Sequence, residues 1–254
     1  MARKKKLKVA EVIDKYMDYY LEFGEAPKSV YHFAKINDFD EKDFYELFGS
    51  FQAVENHIFK AFFDQAVGLL NKSEEYKSFD ARNKLLSFYY TFFEILTANR
   101  SFVLALLKNG EVSLKSLKVL SDLRKEFLKY IDELDIKTPD LKEEKLEKLK
   151  KRSVEETSWT QLLITMNFWM NDSSAGFEKT DMFIEKAINT GFDLIDVIDF
   201  ALIPFLMVGG RDKMKGEIAY AAIGGMGGHD RAVHRGVFTY ENRGAAFRVD
   251  RKDI

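Results

Sequence analysis

Apolar residues recur at three- and four-residue spacing from Lys8 to about Phe205 with little to interrupt them, and this restricts the fold more than any other feature. Val9, Val12, Ile13, Tyr16, Met17 and Tyr20 make the first apolar stripe, and the 254 residues include only three prolines. A chain so patterned buries its stripes by packing helix on helix, so the fold class is all-α. Gly24, suited to a left-handed cap, ends the first helix, with Pro27 just beyond. A short second helix is expected over about 28–36, then a turn at Asn37-Asp38-Phe39-Asp40. A third short helix follows over 41–48, with Asp40 as its N-cap and Gly49 as its stop. Ser50 is placed to cap a longer fourth helix that runs to about Leu70. Three short helices ahead of a long one form a helix-turn-helix arrangement with a connecting helix.

The remainder reads as a larger helical bundle. Between Asp80 and Ala98 apolar side chains lie on nearly all sides, which predicts a central helix. Further helices are expected at about 101–108, 113–135, 141–170 and 177–206. Ten of the thirteen residues from Asp140 to Arg152 are charged, with both signs mixed, as in a solvated helix face or a loop. After Val208 the periodicity stops. Nine of the fifteen glycines fall there, and arginine outnumbers lysine six to three, so this part is expected to be an irregular Gly-rich tail. The organisation expected is a basic arm and helix-turn-helix domain at 1–49, a helical ligand-binding and dimerisation domain at 50–208, and the tail at 209–254.

Several function classes lose support at this stage. With no cysteine, the chain has no disulfide, thiolate metal site or cysteine nucleophile, and it suits a reducing cytoplasm. The basic start is followed at once by Glu11, Asp14 and Lys15 rather than an apolar run, so no export signal is expected. The longest apolar stretch, Phe200 to Val208, is far below the ~20 residues a membrane span needs. His32, His57, His229 and His234 lack metal-ligand spacing, and the glycine pairs near His229 lack the Lys-Ser/Thr ending of a phosphate loop. No acid/base pair stands out, so neither catalysis, a metal nor a cofactor is expected.

The segment Ser29-Val30-Tyr31-His32-Phe33-Ala34-Lys35, then Phe39, then Phe44-Tyr45-Glu46-Leu47-Phe48-Gly49-Ser50-Phe51, resembles the helix-turn-helix signature of the TetR family of transcriptional regulators. Downstream, Asn167-Phe168-Trp169-Met170-Asn171-Asp172 and Phe177-Glu178-Lys179-Thr180-Asp181 are similar to late helices of a TetR-like subgroup, extending the resemblance over roughly residues 8–206. It implies a homodimer on double-stranded operator DNA that responds to a small ligand. The DNA-binding candidates are Arg3, Lys4, Lys5, Lys6, Ser29, Lys42 and Tyr45. Two departures bear on that role. The exposed face of the third helix offers Asp40, Glu41, Asp43 and Glu46 against Lys42 alone, and Phe51 stands where the family places a basic, phosphate-gripping residue.

The resemblance also implies a pocket in the helical domain and dimerisation through its last two helices. Phe88, Tyr89, Phe92, Phe93, Trp159 and Phe168 are candidates for an apolar cavity, with a filled core as the alternative reading. With no Arg or Lys in the aromatic run, the ligand expected is apolar or amphipathic. Leu163, Met166, Trp169, Phe183, Ile184 and Ala187 are candidates for the dimer seam, with packing inside one protomer as the alternative. Two functions remain open: a ligand-responsive operator-binding regulator, or a TetR-like dimer that has lost specific DNA binding and acts as a small-molecule or protein-binding module.

Overall fold

Ser29, Ser50, Ser73 and Asp80 each stand one residue ahead of a helix, in extended backbone, and accept the backbone N–H of the residue three positions on. These caps set where the chain changes direction. The computed structural model describes residues 6–107, 114–134, 136 and 144–197; the tail, Arg3, Lys4, Lys5, His229 and His234 lie outside the described residues. Among the described residues the fold is all-helical with no strand.

In the N-terminal module, α1 (Val9–Phe23) ends at Gly24, whose φ of 73° is the left-handed conformation that glycine adopts without strain. Next come α2 (Val30–Ile36) and α3 (Glu41–Leu47). The turn between them carries Asp38 at φ 57°, and the Phe39 N–H donates to the Ala34 carbonyl at 3.1 Å. Asp40 occupies the expected N-cap position of α3, but its side chain makes no capping bond. The connecting helix is α4 (Phe51–Asn71).

The body continues through α5 (Glu74–Ser78), α6 (Ala81–Ala98), α7 (Arg100–Leu106), α8 (Leu114–Val119) and α9 (Ser121–Glu133). It is completed by α10 (Glu144–Asn171), a single 3₁₀ turn and α11 (Glu178–Val197). Two expectations change. The break expected after about Leu70 contains α5, and the single helix expected at 113–135 is two helices meeting at Leu120.

The connecting helix α4 packs against α6 and α9, α11 lies on α6, and α10 bridges α9 and α11. The N-terminal module joins this body through α1, which packs on both α4 and α7. Phe102 of α7 meets the Tyr20 ring edge-on at 5.8 Å. Buried Glu55 of α4 accepts the Tyr16 hydroxyl proton at 2.6 Å, a charge-assisted bond between α1 and α4. Burial and the neighbouring Glu55 carboxylate both push the Tyr16 pKa far up, so the phenol stays protonated and remains the donor. Apolar contacts and one satisfied buried polar pair therefore fix the module to the body.

Candidate functional site

The helix-turn-helix module is held by a cluster of rings. Fully buried Phe33 of α2 lies edge-on to Tyr16 at 6.3 Å, Phe39 at 5.6 Å and Phe44 of α3 at 6.3 Å. Such edge-to-face pairs add roughly 0.5–1.5 kcal/mol each beyond the area they bury. The Lys15 ammonium donates to the Asn37 carbonyl at 3.3 Å, which ties the turn to α1. As a result, α3 is presented rigidly.

Of the DNA-binding candidates, Lys6 is exposed; Ser29 caps α2 by accepting the His32 N–H at 3.1 Å; Tyr45 projects from α3, half exposed. Lys42 is exposed on α3 with its ammonium 3.9 Å from Glu46. The rest of that face is acidic: Asp38, Asp40 and Glu46 are exposed, and Glu41 and Asp43 are partly so. Phe51 points inward. Its ring stacks on Tyr16 at 5.5 Å and meets Phe33 and Phe44 at 5.5 and 5.4 Å. The position where the resemblance expects a phosphate-binding cation thus belongs to the module's own core.

In the body, the α6 aromatics form a packed column. Phe88 stacks on Phe92 at 5.4 Å, Tyr89 on Phe93 at 6.0 Å, and Phe127 of α9 connects Phe88 at 5.7 Å with Trp159 of α10 at 6.2 Å. Phe168 does not join them. It stacks almost parallel on Phe183 of α11, at 4.6 Å, and borders a cleft of about 240 Å³ with Asn167, Asn171, Asp172, Ser173 and Lys179.

The column carries one polar anomaly. The Tyr89 hydroxyl is buried without a hydrogen-bond partner, and burial drives its pKa far up. Gln65 Oε1 on α4 and Gln161 Nε2 on α10 are also buried and unpaired. By contrast, the Tyr76 and Tyr130 hydroxyls bond each other at 2.9 Å, and Tyr130 also donates to the Lys84 carbonyl at 3.1 Å.

Six residues were expected at the dimer seam. Met166, Trp169 and Ile184 are buried within the protomer, with the Trp169 indole N–H donating to Thr97 Oγ1 at 3.0 Å, so they have no surface to offer a second copy. Leu163, Phe183 and Ala187 are only partly covered. Among the described side chains of this helix pair, the exposed large apolar ones are Ile164 and Met182, which the sequence did not single out. Ile164 lies off the inward stripe Leu162, Met166, Trp169, and that offset is the signal that marks it.

A polar joint holds α10 to α11. Arg100, at the start of α7, donates to the carbonyls of Trp169, Met170 and Asp172 at 2.8, 3.0 and 3.3 Å. Its guanidinium also lies over the rings of Trp169 and Phe177, 4.5 Å from each centre. Asp172 accepts from the backbone N–H and hydroxyl of both Ser174 and Thr180, at 2.7–2.9 Å. Burial alone would raise its pKa, but these four bonds outweigh burial and hold it at about 2, below the ordinary 3.8.

Because the folded-state value is the lower one, this contribution is complete above the ordinary pKa and is lost as pH falls toward about 2. Asp172→Asn is expected to remove about 2 kcal/mol of acid-sensitive stability, read as a flatter dependence of denaturant midpoint on pH between ~5 and ~2. An unchanged slope would contradict the assignment.

Among the described residues, no group of three or more His, Asp or Glu side chains is placed to hold a metal, and no helix is long and apolar enough to cross a membrane. His32 is exposed on α2, and His57 packs edge-on against Phe48 at 5.5 Å.

A capped helix-turn-helix module is thus joined by α4 to an all-helical body. Residues 84–203 match the family model described as tetracyclin repressor-like, C-terminal domain. A comparison with curated proteins gave no match.

Proposed function

We propose that this protein is a TetR-like regulatory homodimer of the cytoplasm that takes a small apolar or amphipathic ligand in its helical body and whose helix-turn-helix module no longer reads operator DNA. The observation that carries this reading is the charge on α3. In helix-turn-helix proteins the first residues of the recognition helix meet base edges, within a duplex that bears one negative charge per ~1.7 Å of axis. Here those residues are Asp40, Glu41, Lys42 and Asp43, three of the four acidic, and Phe51 is turned inward. The unpartnered Tyr89 hydroxyl supports the ligand: a molecule with one polar group and an apolar body would satisfy it in an otherwise aromatic setting. Ile164 and Met182, exposed on adjacent helices beside half-covered Phe168 and Phe183, support pairing of two copies through α10 and α11.

A second reading, operator binding, draws support from the intact α2–α3 packing and from the basic residues at positions 3–6. A mobility-shift titration against the DNA upstream of the protein's own gene, at ~50 mM salt, separates the two. No sequence-specific complex is expected. A specific, salt-sensitive complex that disappears in Lys42→Ala and Tyr45→Ala variants would establish the operator reading instead.

A further inference from the structure

We infer that the outer face formed by the last turn of α1 with α2 and α3 docks a cationic, amphipathic segment of a partner protein. The inference rests on the proposed loss of operator binding and names what takes the place of DNA. Eight large hydrophobic side chains are exposed among the described residues, and five of them, Leu21, Phe23, Tyr31, Ile36 and Tyr45, belong to this module. Loose packing does not explain them. Directly beneath, Phe33 and Phe44 are completely buried, and Val30 and Ala34 nearly so.

The apolar part of the face is continuous from α1 to α2. The Phe23 ring lies 4.4 Å from that of Tyr19, and Tyr19 meets His32 edge-on at 6.4 Å, one helical turn before Ile36. Tyr31 is 62% exposed and Tyr45 is 53% exposed. Tyrosine is the side chain that most often combines large contact area with little lost rotamer freedom at protein interfaces, and its ring face attracts ammonium and guanidinium groups.

Charge decides what fits. From Asp38 to Glu46, five of nine residues are acidic, and Lys42, the single cation among them, sits beside Glu46. Lys28 and Lys35 lie on the α2 side, so the negative field is concentrated at the turn and along α3. Phosphate-bearing surfaces, whether nucleic acid or anionic lipid, are repelled by that field, whereas a segment with apolar anchors for the α1–α2 strip and Lys or Arg heads for α3 matches both halves.

The test uses the full chain, labelled with ¹⁵N. Two synthetic helical peptides of about 20 residues serve as probes, one with leucine and lysine at amphipathic spacing, the other with glutamate in place of lysine. The lysine peptide is expected to shift amides within 19–46, to bind at least about tenfold tighter than the glutamate peptide, and to weaken several-fold between ~50 and ~300 mM salt. Two variants, Tyr31→Ala/Tyr45→Ala and Asp40→Asn/Asp43→Asn/Glu46→Gln, are each expected to weaken it by about fivefold or more while melting close to the parent temperature. Equal binding of the two peptides, shifts confined to other helices, or undiminished binding by both variants would overturn the inference. Duplex DNA in the same titration keeps the two readings apart. DNA shifting the α3 amides sinks the proposed function and this inference together, whereas no response to either DNA or lysine peptide sinks this inference alone.

Discussion

Replacing Arg100 with alanine is expected to lower the stability of the folded chain by about 3 kcal/mol, a fall in melting temperature on the order of 10 °C for a protein of this size. The substitution removes three charge-assisted hydrogen bonds, to the Trp169 and Met170 carbonyls at the end of α10 and to the Asp172 carbonyl just beyond it, although the Trp169 carbonyl keeps the Asp172 N–H. It also removes the cation from between the rings of Trp169 and Phe177. Phe177 depends on that contact. Its φ of 60° is unfavourable for a residue with a Cβ, and the guanidinium against its ring helps to hold it there. Arg100→Lys is expected to recover less than half of the loss, because a point charge cannot fork to several carbonyls or lie flat on two rings. Circular-dichroism melts of the two variants check the prediction; an alanine variant within about 2 °C of the parent would show that the joint contributes little.

The placement of this joint connects it to the N-terminal module. Arg100 opens α7, α7 packs on α1, and Tyr20 touches Phe102 across that contact. A change in how α10 meets α11 therefore has a packed route to the helix-turn-helix module. The route runs through α7 as well as through the connecting helix α4.

The sequence disclosed the parts of this fold that depend on local chemistry. Gly24 and Ser50 mark helix ends because the capping bond involves neighbours in the chain, whereas Asp40 stands at the expected N-cap without a side-chain capping bond. The turn at residues 37–40 follows from the residues that fill it. Helix α5 escaped because its five residues carry a single inward side chain, Tyr76, and one residue has no period. Trp169 and Phe168 show a second limit. They are adjacent and both aromatic, yet about 100° apart around α10, so one enters the core and the other stacks on α11. Periodicity finds an apolar face but not the body that covers it, and so Met166, Trp169 and Ile184 read equally well as seam or core. The Arg100 joint had no sequence signal at all, since its acceptors are backbone carbonyls 69 to 72 positions away.

Phe51→Lys introduces the basic residue that the resemblance to TetR-like regulators expects at this position, and it is expected to harm the protein without producing DNA binding. The ring of Phe51 fills the space between Tyr16, Phe33 and Phe44, so lysine there gives up three aromatic contacts and leaves a gap that a flexible alkyl stem fills poorly. Lysine at the first residue of α4 also opposes the positive end of that helix. Together these are expected to cost about 3 kcal/mol, measured as a lower midpoint in urea with an unchanged slope. Retardation of duplex DNA is expected to stay absent, because Asp40, Glu41 and Asp43 still lead α3 toward the phosphates. If instead the lysine variant keeps its stability and gains salt-sensitive DNA binding, then Phe51 is a lone lost contact on a working operator-binding surface, and the acidic helix is not what separates this protein from DNA. Combining Phe51→Lys with Asp40→Asn and Asp43→Asn tests the converse: once the repulsion is removed, the lysine should produce measurable, non-specific duplex binding even though the module is less stable.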